Sequence, residues 1–362
     1  MQLESLHISR FRNIDEVELD TTSRFVVFHG DNGQGKTNLI EAIGTLATLK
    51  SFRTHRVADQ IQWGSSQASI RGKIRDEGHQ RELKVLLNKE GRKARIDGKS
   101  PKQLVDYFDS IRAVVFAPEH VELVRGAPDQ RRSFLDRGCF NTQSTYLDQF
   151  RTFRRLLSQR SALLRHPILD EIQLDILEEQ LAFAGARISS RRQAFVRSLS
   201  VPFEKLHHQL TGQQDVGIRY RSCLGEGSES EQAQIFLELM KNRRAEERSR
   251  GNNLVGPQRD DLVIQLTSRN ARNFASQGQA RALVISLKLA ELELACQRGA
   301  KPLFLLDDLS SELDAKRRGK LLRILEEKAL QVFVSTTSLS ILEDYAENSK
   351  QFQVVNGSIQ GV

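Results

Sequence analysis

The sequence predicts an α/β protein whose strand layer is divided by an inserted helical lobe, and three observations carry the prediction. Short apolar runs of the kind buried strands show lie near both ends of the chain, at 24–29 and again at 303–306, 332–334 and 352–355. Apolar residues at helical spacing dominate the middle: Phe150, Phe153, Leu157 and Leu164, then Leu174, Leu177, Leu181, Ala184 and Ile188. A glycine-rich turn joins the first apolar run to a helix pattern.

Taken in order, Leu3, Leu6, Ile8 and Phe11 open a mixed apolar pattern that leads into Arg24-Phe25-Val26-Val27-Phe28-His29, which Gly30 ends. Between residues 66 and 98, Ala68, Ile70, Ile74, Val85 and Leu87 fall in alternating stretches, with turn residues at 88–91 and 97–98. That spacing predicts an antiparallel meander next to the mixed sheet. Another strand is expected over 111–116. The helical stretch that follows holds about two heptads, too few for a coiled coil, so its apolar positions are read as the core of a helical lobe. Val201-Pro202 is expected to stop it, and 225–231 reads as a polar, flexible interruption. The domain expectation is a discontinuous lobe I, 1–117 with 290–362, and a mostly helical lobe II, 118–289.

Composition narrows the function classes. The 54 Lys+Arg against 46 Asp+Glu leave a net charge of +8, which favours polyanionic partners, although a merely soluble basic enzyme would show the same balance. Cys139, Cys223 and Cys296 are far apart and lack zinc spacing, so they read as apolar fillers in a reducing cytosol. No run of 18 apolar residues occurs, and the N-terminus has no signal-like core. A cytoplasmic protein without membrane segments is expected.

Gly30-Asp31-Asn32-Gly33-Gln34-Gly35-Lys36-Thr37 fits G-x-x-x-x-G-K-[ST] between a strand and the helix opening at Asn38. Glycines allow the tight turn that aims backbone N–H groups and a helix N-terminus at phosphates. Lys36 would reach the β- and γ-phosphates, and the Thr37 hydroxyl would bind Mg²⁺, so ATP is the expected ligand. Leu303-Phe304-Leu305-Leu306-Asp307-Asp308 places two carboxylates at the C-terminal end of a buried strand. Asp307 is the candidate Mg²⁺ carboxylate, and Asp308 the candidate residue that orients or deprotonates the attacking water.

A second small-residue loop, Ala275-Ser276-Gln277-Gly278-Gln279, opens an amphipathic helix about 30 residues before Asp307. It resembles the signature loop of ABC ATPases in Ser276, Gly278 and Gln279. Ser311-Glu312-Leu313-Asp314 resembles the D-loop of the same class. One chain then holds two anion sites for one triphosphate, which ABC ATPases resolve by pairing head to tail, and an ATP-dependent homodimer is expected.

The family is narrower than that class. Pro118-Glu119, Leu123-Val124, Gly126-Ala127-Pro128, Arg131-Arg132 and Phe134-Leu135-Asp136 resemble a signature of the RecF family, and residues 305–314 resemble its second signature. Arg12-Asn13 after Phe11, and Gly256-Pro257-Gln258-Arg259-Asp260-Asp261-Leu262, match further family segments, with Gln258 in place of the usual histidine. The resemblance spans nearly the whole chain. It implies an ABC ATPase head acting in gap repair and replication restart with RecO and RecR mediators, helping RecA onto DNA at gaps or ds/ss junctions, with an influence on the SOS response. It also implies that Asn38, Arg12, Asn13 and Asp314 join the nucleotide site. SMC-type proteins share the head motifs, but the 271 positions between Lys36 and Asp307 leave no room for their long arms. An ATPase subunit of another ABC system, such as a transporter, is the runner-up.

Nine arginines and three aspartates lie between Arg125 and Arg165, a local excess of six. Arg151, Arg154, Arg155, Arg187, Arg191 and Arg192 are the candidate DNA contacts, and duplex backbone suits arginines without interleaved aromatics better than single strands do. Arg131 and Arg132 are open to a second reading, as loop pins paired with Asp129 or Asp136.

Overall fold

The computed structural model describes residues 1–143, 145–340 and 349–361. The chain forms two compact units, one made of 1–121, 206–212 and 276–362, the other of 122–205 and 213–275. The sequence places the boundaries at 117/118 and 289/290 instead. From Ser276 onward, the signature-like loop and the whole of its helix, Gln277–Gln297, are therefore in the unit that also holds the phosphate loop.

In the first unit a six-stranded sheet runs in the order Ser358–Gly361, Ser349–Val355, Phe25–His29, Val332–Thr336, Leu303–Leu306, Ala113–Phe116. All pairs are parallel except the C-terminal hairpin. The apolar runs of its inner strands are nearly unbroken because both faces of the strands are covered. A five-stranded antiparallel sheet, Ile14–Asp20, Gln2–Phe11, Gln67–Asp76, His79–Asn88, Gly91–Ile96, holds the expected meander. Helix Lys36–Thr48 packs against strands of both sheets and is buried around most of its circumference. A helix enclosed in this way carries no narrow apolar stripe.

The second unit contains helices Pro128–Thr142, Tyr146–Arg165 and Glu229–Arg250, most of Glu171–Thr211, and a three-stranded antiparallel sheet. Pro202 does not stop the long helix, which continues to Thr211. Leu199, Phe203, Leu206 and Leu210, buried at helical spacing, hold the segment that a lone proline destabilises. The 225–231 segment is not simply flexible either. Ser228 and Glu231 form a reciprocal capping box that starts helix Glu229–Arg250.

Several arginines of the basic region are internal to this unit. Arg160 is fully buried and bonds Glu178 at 2.7 and 2.9 Å and Asn253 at 2.6 Å, with Glu247 paired at 2.7 Å. Arg131 forms a bidentate pair with Asp261 at 2.7 and 3.0 Å, and Arg132 donates to the Asp260 carbonyl. The loop-pin reading therefore matches the geometry of Arg131, with Asp261 as partner instead of Asp129 or Asp136, while Arg132 holds a main-chain carbonyl and, among the described residues, no carboxylate. Gln258 donates to the Val255 carbonyl in the same scaffold.

Candidate nucleotide and DNA sites

The phosphate loop is held open from behind. Gly30 and Gly35 have φ of 147° and 120°, and a Cβ at either would meet the Val354 carbonyl at 2.4 Å or the Asn13 side chain at 2.8 Å. Gly33 (φ 81°) is exposed, and an added Cβ there meets nothing within 4 Å. Asp31 and Asn32 are exposed on the same turn. Helix Lys36–Thr48 begins at Gly35 with no side-chain cap, which leaves its first amides available to an anion. Lys36 is largely buried and donates to the Gly30 and Asp31 carbonyls at 2.7 Å each. Burial pulls its ammonium below the ordinary lysine range, while Asp308, Asp307 and Asp31 oppose that pull. An anionic ligand in the cradle would offset the same desolvation cost.

Thr37 and the acidic strand end meet. The Thr37 hydroxyl donates to Asp307 Oδ1 at 3.0 Å, and the Ser335 hydroxyl donates to the same oxygen at 2.6 Å. Burial raises the Asp307 carboxyl to about 6, against the lowering influence of those two hydroxyls. A buried carboxylate beside a hydroxyl is a hard-oxygen set suited to Mg²⁺ completed by phosphate oxygens and water. Asp308 sits at φ 52°, a left-handed conformation held by its N–H donating to Ser335 Oγ at 2.8 Å and by Ser310 donating to its carboxylate at 2.8 Å. Ser335 thus links the Asp307 carboxylate to the Asp308 main chain.

Other expected site residues have structural partners. Arg12, at φ 54°, directs its guanidinium to fully buried Glu41 at 2.7 and 2.9 Å. Asn13 does reach the loop, donating to the Gln34 carbonyl at 3.1 Å and accepting from Asn38 at 2.7 Å. Ser276 caps its helix by accepting from Gln279 N–H, and the Gln279 side chain in turn accepts from Ser276 N–H. Gly278, exposed in the first turn, has Arg317 3.9 Å from where a Cβ would stand. Asp314 caps helix Ala315–Glu327. The Ser311 and Glu312 side chains of the D-loop-like segment lie outside the described residues.

A model of the RecF/RecN/SMC N terminal domain matches residues 2–360. A DNA replication and repair protein RecF from Geobacter sulfurreducens is 42% identical over 368 residues, covering 100% of both chains. The chain belongs to the RecF family. A solved RecF–ATP structure, from a recombination mediator in the RecFOR pathway, superposes with a TM-score of 0.91 at 27% identity, covering 99% of each chain. An SMC head shares the fold alone, at a TM-score of 0.56 and 14% identity over 100% of this chain and 97% of that one.

The six arginines read from the sequence as candidate DNA contacts divide by their surroundings. Arg151, Arg154 and Arg155 are exposed on one side of helix Tyr146–Arg165, opposite buried Phe153, Leu156 and Leu164. Of these three, Arg151 alone has an ion pair among the described residues, with Asp148 at 3.4 Å. Arg187 is exposed and 3.6 Å from Glu229, and Arg191 is half-buried. Arg192 is a correction. Its guanidinium is 2% exposed, bonded to Asp136 at 2.7 Å and to the Pro257 carbonyl at 2.7 Å, so it is structural and presents no donor to a surface phosphate.

Sequence reasoning missed the supports of the phosphate loop. Gln34 accepts from Asn356 N–H with its side chain, at 2.6 Å, and from Gly357 N–H with its carbonyl, at 2.8 Å. The legible signal was Asn356-Gly357 between alternating residues, a two-residue hairpin turn. Ser335 and Glu41 had no comparable sequence signal.

Proposed function

We propose that this RecF-family chain is an ATP-binding, slowly hydrolysing switch that acts on DNA in recombinational repair and replication restart. The observation that carries it is the convergence of Lys36, Thr37, Asp307 and Asp308, with Thr37 bonded to Asp307 at 3.0 Å. Backbone amides of 33–37 and the Lys36 ammonium hold the phosphates, and Asn13 and Gln34 keep the loop in shape. Thr37 and Asp307 would hold Mg²⁺, whose charge would offset that of the phosphate oxygens. Asp308 orients the attacking water. In the nucleotide-bound state two copies pair head to tail, and the first turn after Ser276, with Gly278 and Gln279, covers the other copy's triphosphate while Asp314 lies at the same interface.

The dimer grips duplex DNA or a ds/ss junction, and mediators of the RecO and RecR type help RecA load there. The solved RecF from the RecFOR pathway and the DNA repair description of the Geobacter relative support this reading. Sedimentation with and without ATP and duplex tests it. Dimers should require ATP and be lost in Ser276→Arg, whose cation faces its own helix N-terminus, while monomeric ATP binding persists. Lys36→Met should lose ATP binding altogether. Dimers of Ser276→Arg with ATP would refute the head-to-tail arrangement.

A further inference from the structure

The solvent face of the antiparallel sheet carries cations directly opposite one another. Register pairs His7 with Arg71, Arg71 with Lys84, and Lys84 with Arg95 across four adjacent strands. The flanking residues Ile70, Gly72, Leu83 and Val85 are buried, so strand alternation turns this row away from the core. Lys73 and Lys93 stand two residues away on the same face and are exposed. Acids stand at the margins of the row: Glu18 lies opposite His7 and Glu16 bonds it, Glu82 lies opposite Lys73 and 3.7 Å from Arg71, and Glu90 lies 3.4 Å from Lys93. Lys84 and Arg95 have no ion pair among the described residues.

Like charges directly opposite on antiparallel strands destabilise a sheet. Nothing in the core requires lysine or arginine at these outward positions, and threonine or glutamine would serve the fold better. We propose that this row is a second nucleic-acid contact, a flat platform for the phosphate backbone of duplex DNA, separate from the helical arginines of the other unit. It rests on the reading that the chain binds duplex. Strands are about 4.8 Å apart, so the three cations span about 10 Å. Each strand of a duplex carries a phosphate per ~3.4 Å of axis, and such a patch meets several at once. No aromatic residue interrupts the row, so contacts fall on phosphates and carry no sequence preference.

The test is the full-length double variant Lys84→Gln/Arg95→Gln. Its duplex affinity should fall alike for two unrelated sequences, and the slope of log K against log salt should become shallower by about two. Its thermal midpoint at low salt should rise, because two opposed cations are gone; a merely structural pair would lower it. An unchanged slope while wild type binds duplex, or a lowered midpoint, overturns the platform. Loss of binding to poly-glutamate with the duplex slope intact also overturns it, in favour of an acidic polypeptide. Wild type that binds no duplex under any nucleotide condition would instead refute the DNA reading itself.

Discussion

Asp307 illustrates how much a single buried carboxylate determines. Its carboxyl is raised from 3.8 to about 6 by burial, which amounts to about 3 kcal/mol disfavouring the anion in the ligand-free fold. A raised folded-state value means that this group's stabilisation is complete below about 4 and disappears as pH rises through about 6. Asp307→Asn keeps acceptors for Thr37 and Ser335 without the charge. The ligand-free variant should therefore be more stable than wild type at pH 7.5, by up to about that amount, and the advantage should shrink toward pH 4. Urea midpoints of both proteins across that range check it, and a difference that does not change with pH would contradict the burial argument. The same variant should lose Mg²⁺-dependent ATP affinity. At this scale the sequence was informative where chemistry forces residue type and spacing, as at Lys36, Thr37 and Asp307. It was silent on Ser335, because one serine after an apolar run looks like any strand end, and its bonds to the Asp307 carboxylate and the Asp308 main chain exist only through strand pairing.

Among elements, the C-terminal hairpin has a role beyond closing the sheet edge. Asn356 and Gly357 turn at φ 49° and 79°, and a Cβ at Gly357 would meet the Asn13 carbonyl at 2.2 Å. Gly357→Ala should cost about 1–3 kcal/mol from backbone strain and contact, and it should weaken ATP binding by displacing the Gln34 support. Calorimetric titration of ATP into the folded variant checks it, and unaltered affinity would make the hairpin a bystander. Helix Tyr146–Arg165 offers a contrasting case. Replacing Arg151, Arg154 and Arg155 by Ala touches no buried group, so stability should stay within about 0.5 kcal/mol while the salt slope falls by up to about three. A slope unchanged in filter binding would leave those arginines solvated surface. Element types followed from apolar periodicity, but the run beyond Pro202 did not, since tertiary burial of Phe203, Leu206 and Leu210 overrides a local breaker. Strand register was not legible either, and without it Arg71, Lys84 and Arg95 are three scattered charges. Arg192 failed for a related reason, because charge counts do not distinguish a surface cation from one enclosed by carboxylates, as buried Arg160 also is.

For the molecule as a whole, the question is whether nucleotide is a fuel or a latch. Most ABC ATPases place glutamate where this chain has Asp308, and aspartate is shorter by one methylene. A water aligned for in-line attack then sits less well, and a small misplacement can reduce rate about a hundredfold. Slow turnover would fit the proposed switch, which has to stay on DNA while partners act. The structure makes Asp308→Asn a clean probe: φ of 52° is a conformation asparagine tolerates well, so the backbone and the Ser335 bond should persist. Ser310 can still donate to the carboxamide oxygen that replaces the carboxylate. With Asp307 and Thr37 intact, Mg²⁺ and ATP should bind normally while the water-orienting charge is gone. The variant should accumulate as ATP-bound dimers with prolonged DNA residence and single-turnover hydrolysis reduced by at least about tenfold. Hydrolysis and DNA dissociation measured on the same sample separate the alternatives. Wild-type hydrolysis would remove Asp308 from catalysis, and rapid DNA release with hydrolysis blocked would show that ATP does not latch the dimer.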